Sequence, residues 1–256
     1  MRYFLELSYC GSLYHGWQRQ PNALSVQQII EEALTTLLGK ETAIVGAGRT
    51  DTGVHAKQLF AHFNTDISVE KSDELTYKLN RFLPKDIAII AIHPVTTDAH
   101  ARFDAISRSY EYHISEIKDP FTSGLVYHFN QPLDIDVMND AAKKLLCHRD
   151  FKCFSRSKTD VKTYACEVTE AYWEYHNNQW TFYISANRFL RNMVRAIVGT
   201  LLDVGTGRIT LAEFQSILNS QDRTKAGSSA PAQGLFLTRV QYPNTIFVAR
   251  GKEYNK

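Results

Sequence analysis

Segments with strand-like and helix-like spacing of apolar residues alternate in this chain in the order βαββαβ, and the order recurs in its second half. Tyr3, Leu5, Leu7 and Tyr9 alternate with Phe4, Glu6 and Ser8, the period-two pattern of a strand with two different faces. Ser25 and Gln28, spaced as in a capping box, precede Ile29, Ala33 and Leu37 at the spacing of one helical face, which predicts a helix. Then follow a short strand ending near Gly46, a strand through Lys57 to Asn64, and a helix from Ser72 that stops before Pro84. The apolar run Ile87 to Ile92 reads as a strand buried on both faces.

The second half offers strands at Ser107 to Ser115, Val168 to His176 and Gln179 to Ser185, the last two joined by an Asn177-Asn178 turn, and a closing strand at Leu235 to Tyr242. Helices are expected over Asp136 to Leu146, Phe189 to Val204 and Leu211 to Leu218. The expected fold is therefore α+β: two ferredoxin-like halves with mainly antiparallel sheets, residues 1–104 and 105–256, meeting at a central cleft. Clefts of that kind collect ligands.

Composition narrows the class. With 256 residues, 44% hydrophobic and 22% charged, the chain is long enough to bury a proper core and is neither disordered nor fibrous. No segment approaches a membrane span, and the amino terminus lacks the core of a signal peptide, so a cytoplasmic protein is expected. Cys10, Cys147, Cys153 and Cys166 show no CxxC pairing, which makes free thiols the expectation and a zinc site improbable. A net charge of +2 does not by itself point to nucleic acid. Its distribution is more suggestive: Arg149, Lys152, Arg156, Lys158 and Lys162 face only Asp150 and Asp160, with Phe151 and Phe154 interleaved, a composition suited to a phosphate backbone or to a solvated loop.

Two places carry candidate chemistry. Gly46 to Ala56 sets one carboxylate, Asp51, in a short polar loop between apolar runs, two residues after Arg49. Gly46, Gly48 and Gly53 allow unusual backbone conformations and close approach of a ligand, although the same residues also suit an ordinary turn. Farther on, Arg191 and Arg195 stand four apart on the expected helix, with Arg188 just before it and Leu190, Val194, Ile197 and Leu201 opposite. That pattern fits either a cationic face or the wet side of a core helix. Gly199, one turn beyond Arg195, lets another chain segment or a ligand come close. Tyr110 shares a strand face with Arg108 and Tyr112 and suits base stacking or sheet packing.

Taken in order, these residues resemble the tRNA pseudouridine synthase A family. Tyr9 and Gly11 with Tyr14, Gly16, Trp17, Gln18 and Gln20 look like its amino-terminal signature, and Gly48 to Ala56 looks like its catalytic loop. Asn80 with Leu83-Pro84, Ala101-Arg102-Phe103, Arg108 to Tyr112, Asp150-Phe151 with Phe154, and Phe189 to Arg195 leading to Gly199 also stand where the pattern expects them. Cys10 departs from the family's usual acidic residue, and Thr52 from a smaller one.

The resemblance implies a cofactor-free isomerase that converts uridine to pseudouridine in the anticodon arm of tRNA, at positions 38 to 40, and works as a homodimer. By the same resemblance Asp51 is the catalytic carboxylate, Arg195 its ion-pair partner, Tyr110 the ring that stacks on the uracil, and Arg49 the residue that helps extrude the nucleotide. Arg188, Arg191, Arg149, Lys152 and Arg156 are the expected backbone contacts. A tRNA-binding module without chemistry is the alternative, and a small-molecule enzyme using Asp51 is a third reading without a cofactor fingerprint or metal triad behind it.

Overall fold

The computed structural model describes residues 1–156, 161–176 and 178–248. It divides into two compact units, one of Met1–Ile106 and the chain from Arg239, the other of Ser107–Thr238. The first unit runs β1 (Arg2–Tyr9), α1 (Val26–Leu38), β2 (Val45–Gly46), β3 (His55–Asn64), α2 (Ser72–Phe82) and β4 (Ile87–Val95). The second runs β5 (Ser107–Ser115), β6 (Tyr127–His128), α3 (Ile135–Leu146), β7 (Val168–His176), β8 (Gln179–Ala186), α4 (Met193–Gly205), α5 (Leu211–Ser220) and most of β9 (Leu235–Gln241).

The α+β class expected from the periodicities is present. In the first unit β1 lies between β3 and β4, antiparallel to both, and β2 pairs with the far side of β3. In the second, β5 lies between β9 and β8, and β7 pairs antiparallel with β8. Each unit thus has the fourth-first-third-second strand order that a βαββαβ chain produces when its two crossovers pack on one face. The sequence pattern gave no sign of β6, which pairs in parallel with β5 over only two residues.

Several local expectations shift. Ser25 accepts the Gln28 N–H at 3.4 Å, but Gln28 turns its amide to Glu32 at 2.9 Å instead of closing a capping box. The reciprocal box forms on α5, between Thr210 and Glu213. The buried stripe of α1 is Val26, Ile30, Ala33 and Leu34, with Ile29 and Leu37 only half-buried. The run Ile87 to Ile92 is not buried on both faces: Ala88 and Ile90 face solvent while Ile87, Ile89 and Ile92 are buried. The reason is position, since β4 has β1 as its strand partner on one side and α2 packs against only one of its faces. The other face of β1 is covered as well, because the chain returning after β9 lays Tyr242 and Phe247 on Phe4 at ring separations of 5.0 and 6.2 Å. In the turn between β7 and β8, Asn178 adopts φ 59°, and Asn177 lies outside the described residues.

His62 on β3 couples the first unit to pH. It is 7% exposed, and its Nδ1 accepts the Ala101 N–H at 3.1 Å. Burial, helped by the charges of His100 and Arg2, lowers its pKa from 6.5 to about 4. Between those values the unfolded chain binds a proton that the folded one refuses, so stability is expected to fall as pH drops from about 6.5 toward 4, by up to about 3 kcal/mol. Urea midpoints measured across that range check this. His62→Asn keeps an acceptor without a titrating group and should flatten the dependence.

Candidate active site

Asp51 sits half-buried in a loop that the amino-terminal signature holds down. β2 and β3 bring the loop's ends together, with Gly46 opposite Ala61. Inside it the Tyr9 hydroxyl and Thr50 Oγ1 share a buried hydrogen bond at 2.8 Å, Thr50 O accepts the Trp17 N–H at 3.3 Å, and Gly53 N–H donates to Tyr14 O at 3.3 Å. Asp51 O accepts the Val54 N–H at 3.1 Å and closes a turn in which Gly53 takes φ 78°. The segment Gly11 to Trp17 can press this close because two positions lack a side chain. A Cβ on Gly11 would lie 2.0 Å from Val54 O, and one on Gly16, already at φ 87°, would lie 2.3 Å from Thr50 O. His55, 1% exposed, adds a clamp by accepting the Gly11 N–H at 3.0 Å on Nδ1.

The loop glycines differ from expectation in detail. Of Gly46, Gly48 and Gly53, only Gly53 has a left-handed backbone. Close approach at Gly46 is to the buried Trp17 indole, 2.4 Å from an added Cβ, not to a ligand, and nothing lies within 4 Å at Gly48. Arg49 projects from the loop to the surface, where its Nε–H donates to Gln18 Oε1 at 3.0 Å.

In the second unit the helix after β8 starts later than its periodicity predicts. Asn192 takes φ 66° and α4 begins at Met193, so Arg188 and Arg191 precede the helix and the four-residue spacing does not put Arg191 and Arg195 on one helical face. Nor is α4 a surface helix with a wet side. Every residue in it is buried except Arg195 and Asp203, because α3, α5 and the segment 226–230 enclose it. Arg195 therefore stands in the first turn of a core helix, where a cation opposes the helix dipole and gains nothing for folding from the location.

The segment Ala226 to Pro231 holds that arginine. Arg195 Nε donates to Ala230 O at 2.7 Å and the Ala230 N–H returns to Arg195 O at 2.9 Å. Arg223 donates to Ala226 O, Gly227 O and Ser229 Oγ at 3.0 to 3.2 Å, and Asn192 Nδ2 donates to Ser229 Oγ at 2.6 Å. Gly199 is what admits the segment, since an added Cβ would lie 1.7 Å from Ser228 O. The next residue, Pro231, accepts the Tyr112 hydroxyl at 2.7 Å, which ties the segment to β5. On the same face of β5, Tyr110 is half-buried with its ring edge-on to Phe189 at 5.1 Å, and Arg108 donates to Asn187 O at 2.9 Å.

The structure also tests the basic stretch. Phe151 and Phe154 are fully buried and so are core residues, not interleaved stacking surfaces. Arg149, Lys152, Arg156 and Arg191 are exposed and Arg188 is half-buried; Lys158 and Asp160 lie outside the described residues. A bond from the Arg156 N–H to Arg191 O at 3.1 Å joins two of the cationic segments. Sequence reasoning missed Arg223 and the 226–231 segment, and it named Asn192 only as part of the Phe189 to Arg195 pattern; the only local signal for the segment was its run of small residues.

A family model described as tRNA pseudouridine synthase matches residues 7–104 and 141–243. The chain belongs to that family. The first matched stretch carries Arg49 and Asp51, the second Arg188, Arg191 and Arg195, and Tyr110 falls between them. Relatives named tRNA pseudouridine synthase A agree over nearly the whole length. That of Porphyromonas gingivalis is 52% identical over 252 residues, covering 96% of this chain and 99% of its own. That of Bacteroides fragilis is 49% identical over 247 residues, covering 96% and 98%, and that of Acetivibrio thermocellus 40% identical over 240 residues, covering 93% and 98%. The family is one of isomerases. No described helix is long and apolar enough to cross a membrane.

Proposed function

We propose that this chain converts uridine to pseudouridine in the anticodon arm of tRNA, at positions 38 to 40, with Asp51 as the carboxylate that meets the sugar of an extruded nucleotide. The observation that carries this is a lone acid in a loop clamped on both sides by the signature residues, in a chain of this family. Extrusion costs a few kcal/mol, which stacking and filling of the vacancy offset; Tyr110 takes the first task and Arg49 the second. The bond from C1′ to N1 then breaks, and the carboxylate stabilises the positive charge at the sugar. The uracil turns, C1′ bonds to C5, a base takes the C5 proton, and N1 gains one, so the product has the formula of the substrate. Arg195 is the cation this reading assigns to the acid, and Tyr110, as a phenol, serves as the base.

Arg188, Arg191, Arg149, Lys152 and Arg156 track the phosphates in this reading, and two copies of the chain form the functional unit. Incubation with tRNA transcripts, followed by mapping of pseudouridine across the molecule, tests the function; unmodified anticodon arms would remove it. Binding is expected to weaken roughly a thousandfold between 50 and 200 mM salt. Replacing Arg156 and Arg191 with Ala should reduce the slope of log affinity against log salt by about 1 to 2. A filter-binding series at four salt concentrations checks both values.

A further inference from the structure

Arg49 terminates a chain of hydrogen bonds that begins at a buried carboxylate. Glu31 on α1 is 8% exposed and accepts three N–H groups: Arg19 at 3.1 Å, Gln27 Nε2 at 2.9 Å and the Ile44 backbone at 3.1 Å. Because Gln27 Nε2 also donates to Ile44 O at 3.0 Å, its amide has one orientation, with the carbonyl turned outward. That carbonyl accepts the Arg19 N–H at 3.0 Å and Gln18 Nε2 at 3.1 Å. Gln18, its own NH2 so engaged, presents Oε1 to Arg49 Nε at 3.0 Å. Every donor along the path points from the cation toward the anion, so the two amide dipoles align and each bond strengthens the next. Reversing either amide would set NH2 against N–H.

We propose that Gln18 is a positioning residue that holds the Arg49 guanidinium, through Gln27 and Glu31, in the orientation from which it fills the place of an extruded nucleotide. The inference rests on the role of Arg49 given above. A long arginine on a surface loop ordinarily samples many rotamers, and ordering it at the moment of extrusion would be charged against the reaction. The relay settles that ordering in advance, anchored on Glu31, which is 8% exposed. Gln18 itself is exposed, so its contribution to the core is small.

Gln18→Met, Arg49→Ala and the double variant separate positioning from packing. Single-turnover rates are measured on a tRNA transcript with the target uridine paired and on one with it mismatched. Gln18→Met is expected to lower the rate about five- to tenfold on the paired target with melting temperature and KM nearly unchanged, to lose less on the mismatch, where extrusion is cheaper, and to have no further effect beside Arg49→Ala. A Gln18→Met loss as large in the Arg49→Ala background as in the parent overturns the proposal. Independently of activity, the Arg49 Nε–H resonance should exchange slowly with solvent in the parent and fast in Gln18→Met; equal exchange in both also overturns it. A parent protein that leaves uridine unchanged removes the enzymatic reading instead, while the exchange measurement still decides the orientation.

Discussion

Replacing Asp51 with Asn is expected to abolish pseudouridine formation while leaving the fold and tRNA binding in place. The side chain belongs to a loop whose geometry is set by other groups: the Tyr9–Thr50 bond, the Trp17 and Gly53 backbone contacts, and the His55 clamp on Gly11. An amide of nearly the same shape fits there, so the melting temperature should change little. The proposed chemistry, however, needs an anion at the sugar, and an amide supplies none. The loss should reach about 10⁴-fold or more in rate, the scale seen when a nucleophile or essential base is removed. Affinity for the transcript should stay within severalfold of the parent, because phosphate contacts dominate binding. A variant that retains a tenth of the parent's rate would move the catalytic role to another residue.

Gly199→Ala is expected to be among the most damaging single-methyl changes in the second unit. The new Cβ would lie 1.7 Å from the Ser228 carbonyl, which is backbone and cannot rotate aside. Either α4 or the segment 226–230 must move, and every residue of α4 except Arg195 and Asp203 is buried. Overpacking of this kind costs about 1 to 3 kcal/mol even after the helix gains from losing a glycine, a fall of roughly 3 to 10 °C in melting temperature. The second effect is on function. The displaced segment carries Ala230 O, the acceptor of Arg195 Nε, so the rate measured well below the melting temperature should fall by about tenfold or more. Ser229→Ala removes a hydroxyl that accepts from Asn192 and Arg223 without adding volume, and should give the smaller functional loss with less destabilisation. A Gly199→Ala protein with the parent's melting temperature would mean that the segment does not lie against the helix.

The elements that the sequence made legible are those whose signal is local. The alternation of Tyr3 to Tyr9, the Ser72 start and Pro84 stop of α2, and the paired strands around Asn178 each come from spacing within about ten residues. Where burial depends on neighbours far along the chain, the same spacing misled. Ile87 to Ile92 reads as doubly buried until β4 takes a position with β1 on one side of it. The helix carrying Arg195 reads as amphipathic because Arg191 and Arg195 stand opposite Leu190, Val194, Ile197 and Leu201 in the sequence, yet the left-handed Asn192 excludes Arg191 and leaves Arg195 in a buried element. Phe151 and Phe154 alternate with cations along the chain but point into the core.

The sequence by itself determined the order of the main strands and helices and the family, and it singled out Asp51 as the candidate acid, since periodicity and motif identity are properties of consecutive residues. Only the tertiary structure decided what holds the charged side chains. Gln18, Gln27, Glu31 and Arg49 are joined across 31 residues, and Arg195 meets Ala230 across 35. Bonds of that range form when packed elements bring separate segments together, and no spacing along the chain encodes them.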